Sequence, residues 1–335
     1  MNLVKYNKYI KGMFTVFFAF VGVLTLSSVA LAQVESFSFD VIPKNPEPNS
    51  VVKVSINSFS VDLDRAHIKW TINGDLVLSG VGNKKTSFKV GDLGEITLVK
   101  VEAIFAGGKK LNKTLVIQPA HLDLLWESAD SYTPPFYKGK ALPARESTIK
   151  ITAIPEIKNY GGSYHKPKNL IYSWTKDLNT QSGASGFNKQ YFSFKHSVFD
   201  AEQRVGVTVT SQDGFSSANG STLISFVQPF VSVYEEELNN GPDFGKELSQ
   251  NTVSSHGKTS LVAIPYFFSV KDAVAKDISY KWNINNNKIT PPGQKNKLTL
   301  QKSGEDAGSA GISVAIQSLT KIFQESSRVF NINLQ

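Results

Sequence analysis

Apolar and polar residues alternate with a period of two along most of the chain beyond residue 34. The clearest stretches are Val99/Val101/Ala103, Val205/Val207/Val209 and Ile312/Val314/Ile316. Period two marks a strand with one buried face. Three other stretches carry a tryptophan: His67-Ile-Lys-Trp-Thr-Ile-Asn73, Leu170-Ile-Tyr-Ser-Trp-Thr-Lys176 and Ile278-Ser-Tyr-Lys-Trp-Asn-Ile284. In each, the Trp follows Ile68, Tyr172 or Tyr280 by two places, so both side chains point to the same face of a strand. Trp70, Trp174 and Trp282 are expected in the core, since large aromatics on such a face are usually buried.

The three tryptophans stand roughly a hundred residues apart, the length of a small β domain. The same order of signals recurs around each. An early strand comes first (Val52 to Ile56, Ile149 to Pro155, Leu261 to Pro265), followed by the Trp strand. Next is a turn leading into another strand, opened by Gly82-Asn-Lys, Gly186-Phe-Asn-Lys and Gly293-Gln-Lys-Asn; the alternating Val/Ile strand and a closing strand follow. Ile117-Gln-Pro119 and Val227-Gln-Pro229 end two closing strands, because proline removes a ladder donor. The expected domains are 34–118, 119–228 and 229–335. Units two and three share an additional opening, Leu125-Trp-Glu127 and Val233-Tyr-Glu235, each followed by a proline-aromatic-lysine cluster. No amphipathic helix of ordinary length is predicted, and Pro, Gly, Asn and Ser punctuate short strands throughout.

Strand, Trp strand, turn, strand, alternating strand and closing strand resembles the immunoglobulin-like superfold, including bacterial PKD-type domains. Trp70-Thr-Ile-Asn-Gly-Asp75 is similar to the Trp-x-Phe-Gly-Asp-Gly run of the latter. Trp174-Thr-Lys-Asp177 and Trp282-Asn-Ile-Asn285 depart from it. The resemblance implies an all-β chain of three tandem immunoglobulin-like sandwiches, with each Trp on the third strand and the Val/Ile run on a facing strand. It assigns no functional residue.

The N-terminus reads as an export signal over residues 1–32. Lys5, Lys8 and Lys11 precede the uncharged run Met13 to Leu26, and Ala30-Leu-Ala32 presents small residues before Gln33, the expected first mature residue. The alternative is an uncleaved anchor, since Met13 to Ala32 is long enough to span a bilayer. Either reading places the remainder outside the cytoplasm, by the general secretory route of a bacterial cell. The chain has no cysteine, which excludes disulfides, thiol catalysis and Cys-ligated zinc. Net charge is +8, but three of those lysines lie in the signal and the rest are scattered, so nucleic acid is not expected as a partner. At 41% hydrophobic and 19% charged residues, packed cores are expected rather than disorder.

Candidate chemistry is sparse. His67, His121, His165, His196 and His256 show no metal-ligand spacing, and no Gly-x-Ser-x-Gly elbow occurs. Asp62 and Asp64 are too few for a calcium site, and Glu235-Glu-Glu237 reads as including one or two solvated strand residues. No cofactor and no metal are expected. Two aromatic groups are candidates for recognition. Tyr160 and Tyr164 lie in the loop Asn159-Tyr-Gly-Gly-Ser-Tyr-His165, a composition suited to adaptable binding loops. Tyr132, Phe136 and Tyr137 lie in Tyr132-Thr-Pro-Pro-Phe-Tyr137, whose counterpart in unit three also suits packing. The expected function is non-enzymatic display and binding to a protein or glycan at the cell envelope. Alternatives are a structural or spacer subunit of a pilus or surface layer, and a glycan-active enzyme with a carboxylate site.

Overall fold

The computed structural model describes residues 35–237, 239–248, 251–254, 257–302 and 308–334. The signal segment, with Ala30, Ala32 and Gln33, lies outside the described residues, as does His256. The fold is all-β, with six sheets arranged as three sandwiches in chain order.

The N-terminal sandwich has seven strands: β1 (Ser38–Ile42), β2 (Val51–Asn57), β3 (His67–Ile72), β4 (Asp75–Val81), β5 (Lys85–Lys89), β6 (Thr97–Ile104) and β7 (Lys110–Ile117). One sheet runs β1-β2-β5, the other β4-β3-β6-β7. Alternation dictates which side chains are buried: Val54 and Ile56 on β2, Ile68 and Trp70 on β3, and Val101 and Ala103 on β6, with charged or polar residues between them.

The middle sandwich contains β8 (His121–Ser128), β9 (Thr148–Glu156), β10 (Ile171–Lys176), β11 (Asn179–Thr180), β12 (Gly186–Phe187), β13 (Tyr191–Lys195), β14 (Glu202–Thr210) and β15 (Ser217–Ser225). Its sheets are β13-β9-β8 and β11-β10-β14-β15, with β12 also pairing to β10. The C-terminal sandwich contains β16 (Phe230–Glu237), β17 (Gly241–Glu247), β18 (Asn251–Ser254), β19 (Lys258–Tyr266), β20 (Ile278–Ile284), β21 (Asn287–Ile289), β22 (Lys297–Gln301), β23 (Gly308–Ser318) and β24 (Glu325–Leu334). Its sheets are β17-β16-β19-β22 and β18-β24-β23-β20-β21, the β18–β24 pair being parallel. A three- or four-stranded sheet thus faces a sheet built on the Trp strand, the immunoglobulin-like arrangement.

By compactness the chain forms two units. Of the described residues, the first comprises those up to Val41 with Lys53–Thr86 and Leu98–Leu115. The second comprises Ile42–Val52, Ser87–Thr97 and Val116–Gln335, so it includes two loops of the N-terminal sandwich together with both later sandwiches.

Trp70, Trp174 and Trp282 are completely buried, and each on its third principal strand has the same polar anchor. The indole N–H of Trp70 donates to the Asn83 carbonyl at 2.7 Å, that of Trp174 to Lys189 at 2.8 Å, and that of Trp282 to Lys295 at 3.0 Å. These acceptors lie in the repeated Gly-Asn/Lys turns. The turn chemistry and the Trp therefore belong together: a buried N–H must find a partner, and the turn carbonyl provides it.

One expectation is corrected. The Val/Ile strands do not face the Trp strands across the core. They lie beside them in the same sheet, with Trp70 opposite Val101, Trp174 opposite Val207 and Trp282 opposite Val314. The residues that face the indoles come from the other sheet, such as Phe192, whose ring lies 5.9 Å from that of Trp174. Period two shows that a strand has a buried face but not which sheet holds it.

The run after each Trp, of which that after Trp70 resembled a PKD signature, leads into a two-residue hairpin turn. Asn73-Gly74, Asp177-Leu178 and Asn285-Asn286 all have positive φ at both positions, the geometry that matches strand twist.

Candidate functional site

Two loops of the middle sandwich meet at one of its ends. The loop between β9 and β10 begins with a tight turn: the Asn159 N–H donates to the Ser163 carbonyl at 2.9 Å, and the Ser163 N–H donates to the Asn159 side-chain oxygen at 3.1 Å. Gly162 takes φ +79, which a side chain would oppose. This turn lifts Tyr160 to the tip. Lys158 and Tyr164 form an isolated bridge at its base, and the Lys158 ammonium lies 5.4 Å from the Tyr164 ring.

The second loop, between β14 and β15, is Ser211-Gln-Asp-Gly-Phe-Ser216. Asp213 accepts the Ser211 hydroxyl and the Phe215 N–H. These bonds, the Ser211 hydroxyl first, hold the Asp213 carboxyl below its ordinary range. The turn places Phe215 against Tyr160, edge to face at 5.5 Å between centroids. Tyr160 remains 51% exposed and Phe215 65%.

The platform beneath is fixed by Gln118, the residue of the Gln-Pro pair. It is buried; its side-chain amide donates to the carbonyls of Gly94 and Lys158 at 3.2 Å, and its oxygen accepts the buried Ser216 hydroxyl at 2.6 Å. One side chain thus ties both loops together. Buried amides satisfied on both ends rigidify what they hold, so the exposed rings stand on an ordered base.

Tyr160 and Tyr164, expected from the sequence, both lie here, with Tyr164 also exposed. Phe215 and Gln118 were missed. The Gly-Phe at the tip of a polar loop was the available signal for the first; the second read only as a strand end. The other aromatic group lies elsewhere. Tyr132 packs against two apolar clusters of the C-terminal sandwich, and burial raises its phenol above the ordinary value. Tyr137 sets its ring edge on Tyr266 and Phe267 at 6.0 and 5.9 Å. Of the three only Phe136 projects fully, at φ +64.

The acidic candidates have local partners. Asp62 pairs with Arg65 at 3.5 Å, Asp64 with Lys84 at 2.8 Å, and Glu236 with Lys297 at 2.6 Å. Among the described residues no group of three or more His, Asp or Glu side chains could hold a metal, and no helix is long and apolar enough to cross a membrane.

No protein-family model matches the chain, and no curated protein matches it. Among solved structures it is similar to the Bacteroides ovatus mixed-linkage glucan utilization locus protein SGBP-B in complex with a mixed-linkage heptasaccharide, at 12% identity over 87% of this chain and 65% of that one, with a TM-score of 0.23. It thus spans less than two thirds of that protein. It is similar to the fibronectin(III)-like modules of Clostridium thermocellum CbhA, at 12% identity over 58% of this chain and 95% of that one, with a TM-score of 0.29. It is also similar to three N-terminal domains of the bacteriophage RB49 highly immunogenic outer capsid protein, at 12% identity over 90% of this chain and 99% of that one, with a TM-score of 0.25.

Proposed function

We propose that the chain is an exported, non-enzymatic binding protein of the bacterial cell envelope. Residues 1–32 direct export, cleavage follows Ala32, and three immunoglobulin-like domains span 34–118, 119–228 and 229–335. The partner is a protein or a glycan engaged by the loop tips of the middle domain. The observation that carries this reading is the exposed Tyr160–Phe215 pair, contributed by two loops and braced by Gln118. Rigid aromatics on loops present large contact area at low entropic cost.

The test compares wild type with a Tyr160→Ala/Phe215→Ala double variant, each immobilised and exposed to envelope extract and to a glycan array. The partner is expected to bind wild type about tenfold more tightly, the loss of two anchoring rings. Equal binding to both would overturn the assignment of the site.

A second reading, a spacer in an envelope assembly, is favoured by the hydrogen-bonded junction between the middle and C-terminal sandwiches. There Ser147 and Ser269 hydroxyls meet at 2.9 Å and the Gln324 amide donates to both Ser269 and Arg145.

A further inference from the structure

A second feature of the middle sandwich is a groove where the chain leaves the Trp174 sheet and crosses to the opposite one. It has a volume of about 820 Å3 and runs over Thr180–Ala184 and Phe187–Ser193. The strands it borders, β11 and β13, are both sheet edges.

Its walls are anchored to the central tryptophan. The Trp174 backbone N–H donates to the Ser185 hydroxyl at 2.9 Å, and that hydroxyl donates to the Gln181 carbonyl at 2.8 Å. The Trp174 indole N–H holds the Lys189 carbonyl on the other side. The groove is therefore formed before any ligand arrives.

Its lining has a particular chemistry. Phe187 and Tyr191 present rings that are 54% and 61% exposed. Around them stand the hydroxyls of Thr180, Ser182 and Ser193 and the amides of Gln181, Asn188 and Gln190. Among the described residues the Asn188, Thr180 and Ser182 side chains have no protein hydrogen-bond partner. Lys189 is the one charged residue of the lining, and no carboxylate is present. The floor is closed: Phe192 is buried, stacked on Phe194 at 5.0 Å and tilted against Trp174.

We infer that this groove binds a neutral oligosaccharide. Exposed rings offer apolar faces to the C–H surface of a pyranose, while amides and hydroxyls, which both donate and accept, match sugar hydroxyls. The volume is within the range of small-molecule sites. An extended peptide fits less well, because its alternate side chains need apolar pockets and the sealed Phe192 floor provides none. A nucleic acid would need more than one lysine. This site shares no residue with the loop-tip site, so the two readings stand or fall separately.

The experiment uses the purified full chain labelled with 15N at tryptophan. The probes are cellohexaose, laminarihexaose, mannohexaose, N-acetylchitohexaose and a pool of unstructured peptides. At least one oligosaccharide is expected to shift the Trp174 indole resonance while those of Trp70, Trp126 and Trp282 stay in place. Tyr191→Ala and Phe187→Ala are each expected to weaken that binding about tenfold, the loss of one stacked ring. Tyr191→Phe and Tyr160→Ala are expected to retain it, the former because the ring remains and the latter because it lies at the other site. Unperturbed indole spectra with every oligosaccharide, binding undiminished in Tyr191→Ala, or a response to the peptides alone would each overturn the inference.

Discussion

At the scale of single residues, the hairpin turns after the tryptophans show how far local chemistry can be stretched. Asn73-Gly74 suits positive φ at both positions, and Asn285-Asn286 does so through side chains that tolerate it. Asp177-Leu178 does not: Leu178 has φ +66 with a γ-branched side chain that is 87% exposed. No packing compensates for that conformation, which disfavours a residue of this kind by about 1 kcal/mol. Leu178→Asn is therefore expected to stabilise the protein by about 0.5–1 kcal/mol. Urea unfolding checks this: the midpoint should rise with an unchanged slope, and a fall would mean that Leu178 makes a contact the free chain does not reveal.

At the scale of elements, alternation made the strands and the Trp faces readable from sequence, because period two is a property of the extended backbone itself. What alternation could not supply was anything decided by a second element. The strand β19 is buried on both faces. Leu261 and Ala263 enter one core, while Val262, Ile264 and Tyr266 form another cluster with Tyr132, Leu142 and Val227. Part of that second cover, Tyr132 and Leu142, comes from more than a hundred residues earlier, invisible to a local pattern. The Tyr160–Phe215 pair was half legible, since Tyr160 sits among turn formers but its partner lies on another loop. The groove was legible only by parity: Phe192 and Phe194 point inward, so Tyr191 between turn and strand must point out.

The loop 43–50 also docks by elements. The Ala120 N–H donates to the Pro46 carbonyl at 3.3 Å, Ser217 to Asn45 at 2.6 Å, and His121 meets Glu47 at 2.7 Å on one ring nitrogen and Asp123 at 3.3 Å on the other. The Glu47 hydrogen bond, with both carboxylates adding attraction, raises His121 above its ordinary 6.5. A raised folded value means the proton stabilises the folded state. That contribution is fully present below 6.5 and is lost as pH rises through the raised value. The groups are well exposed, so solvent screens the effect. Melting temperatures of wild type and Glu47→Gln, compared from about pH 5 to pH 8, should differ most at the acidic end and converge at the basic end. A constant difference would remove His121 from the explanation.

At the scale of the whole molecule, the second unit raises the question of whether its two sandwiches unfold together. Their apolar cores are separate clusters, which alone would let each melt by itself. The junction opposes this with buried polar contacts. Gln324 is fully buried; its side-chain oxygen accepts the Ser269 N–H at 2.7 Å, and its amide donates to Ser269 Oγ at 2.9 Å and to the Arg145 carbonyl at 2.8 Å. Glu146 accepts the Ile322 N–H at 2.9 Å, and Tyr132 exchanges backbone bonds with Phe267 and Phe268 at 2.8 Å. Removing Gln324 strands a buried N–H and a carbonyl, at a cost of about 3 kcal/mol. The Arg145 bond joins the two sandwiches, so its loss falls on the coupling, while the lost Ser269 bonds weaken the C-terminal sandwich itself. Wild type is therefore expected to lose its middle and C-terminal sandwiches in one denaturant transition, followed through the Trp174 and Trp282 indole signals. In Gln324→Ala the two signals should separate, with Trp282 released first, since Ser269 belongs to its own sandwich and loses the bonds to both its N–H and its hydroxyl. Coincident transitions in the variant would mean that the aromatic cluster around Tyr132 and Tyr266 couples the sandwiches without the amide. The junction would then owe its rigidity to apolar burial, and substitution of Tyr132 would be the change that separates them.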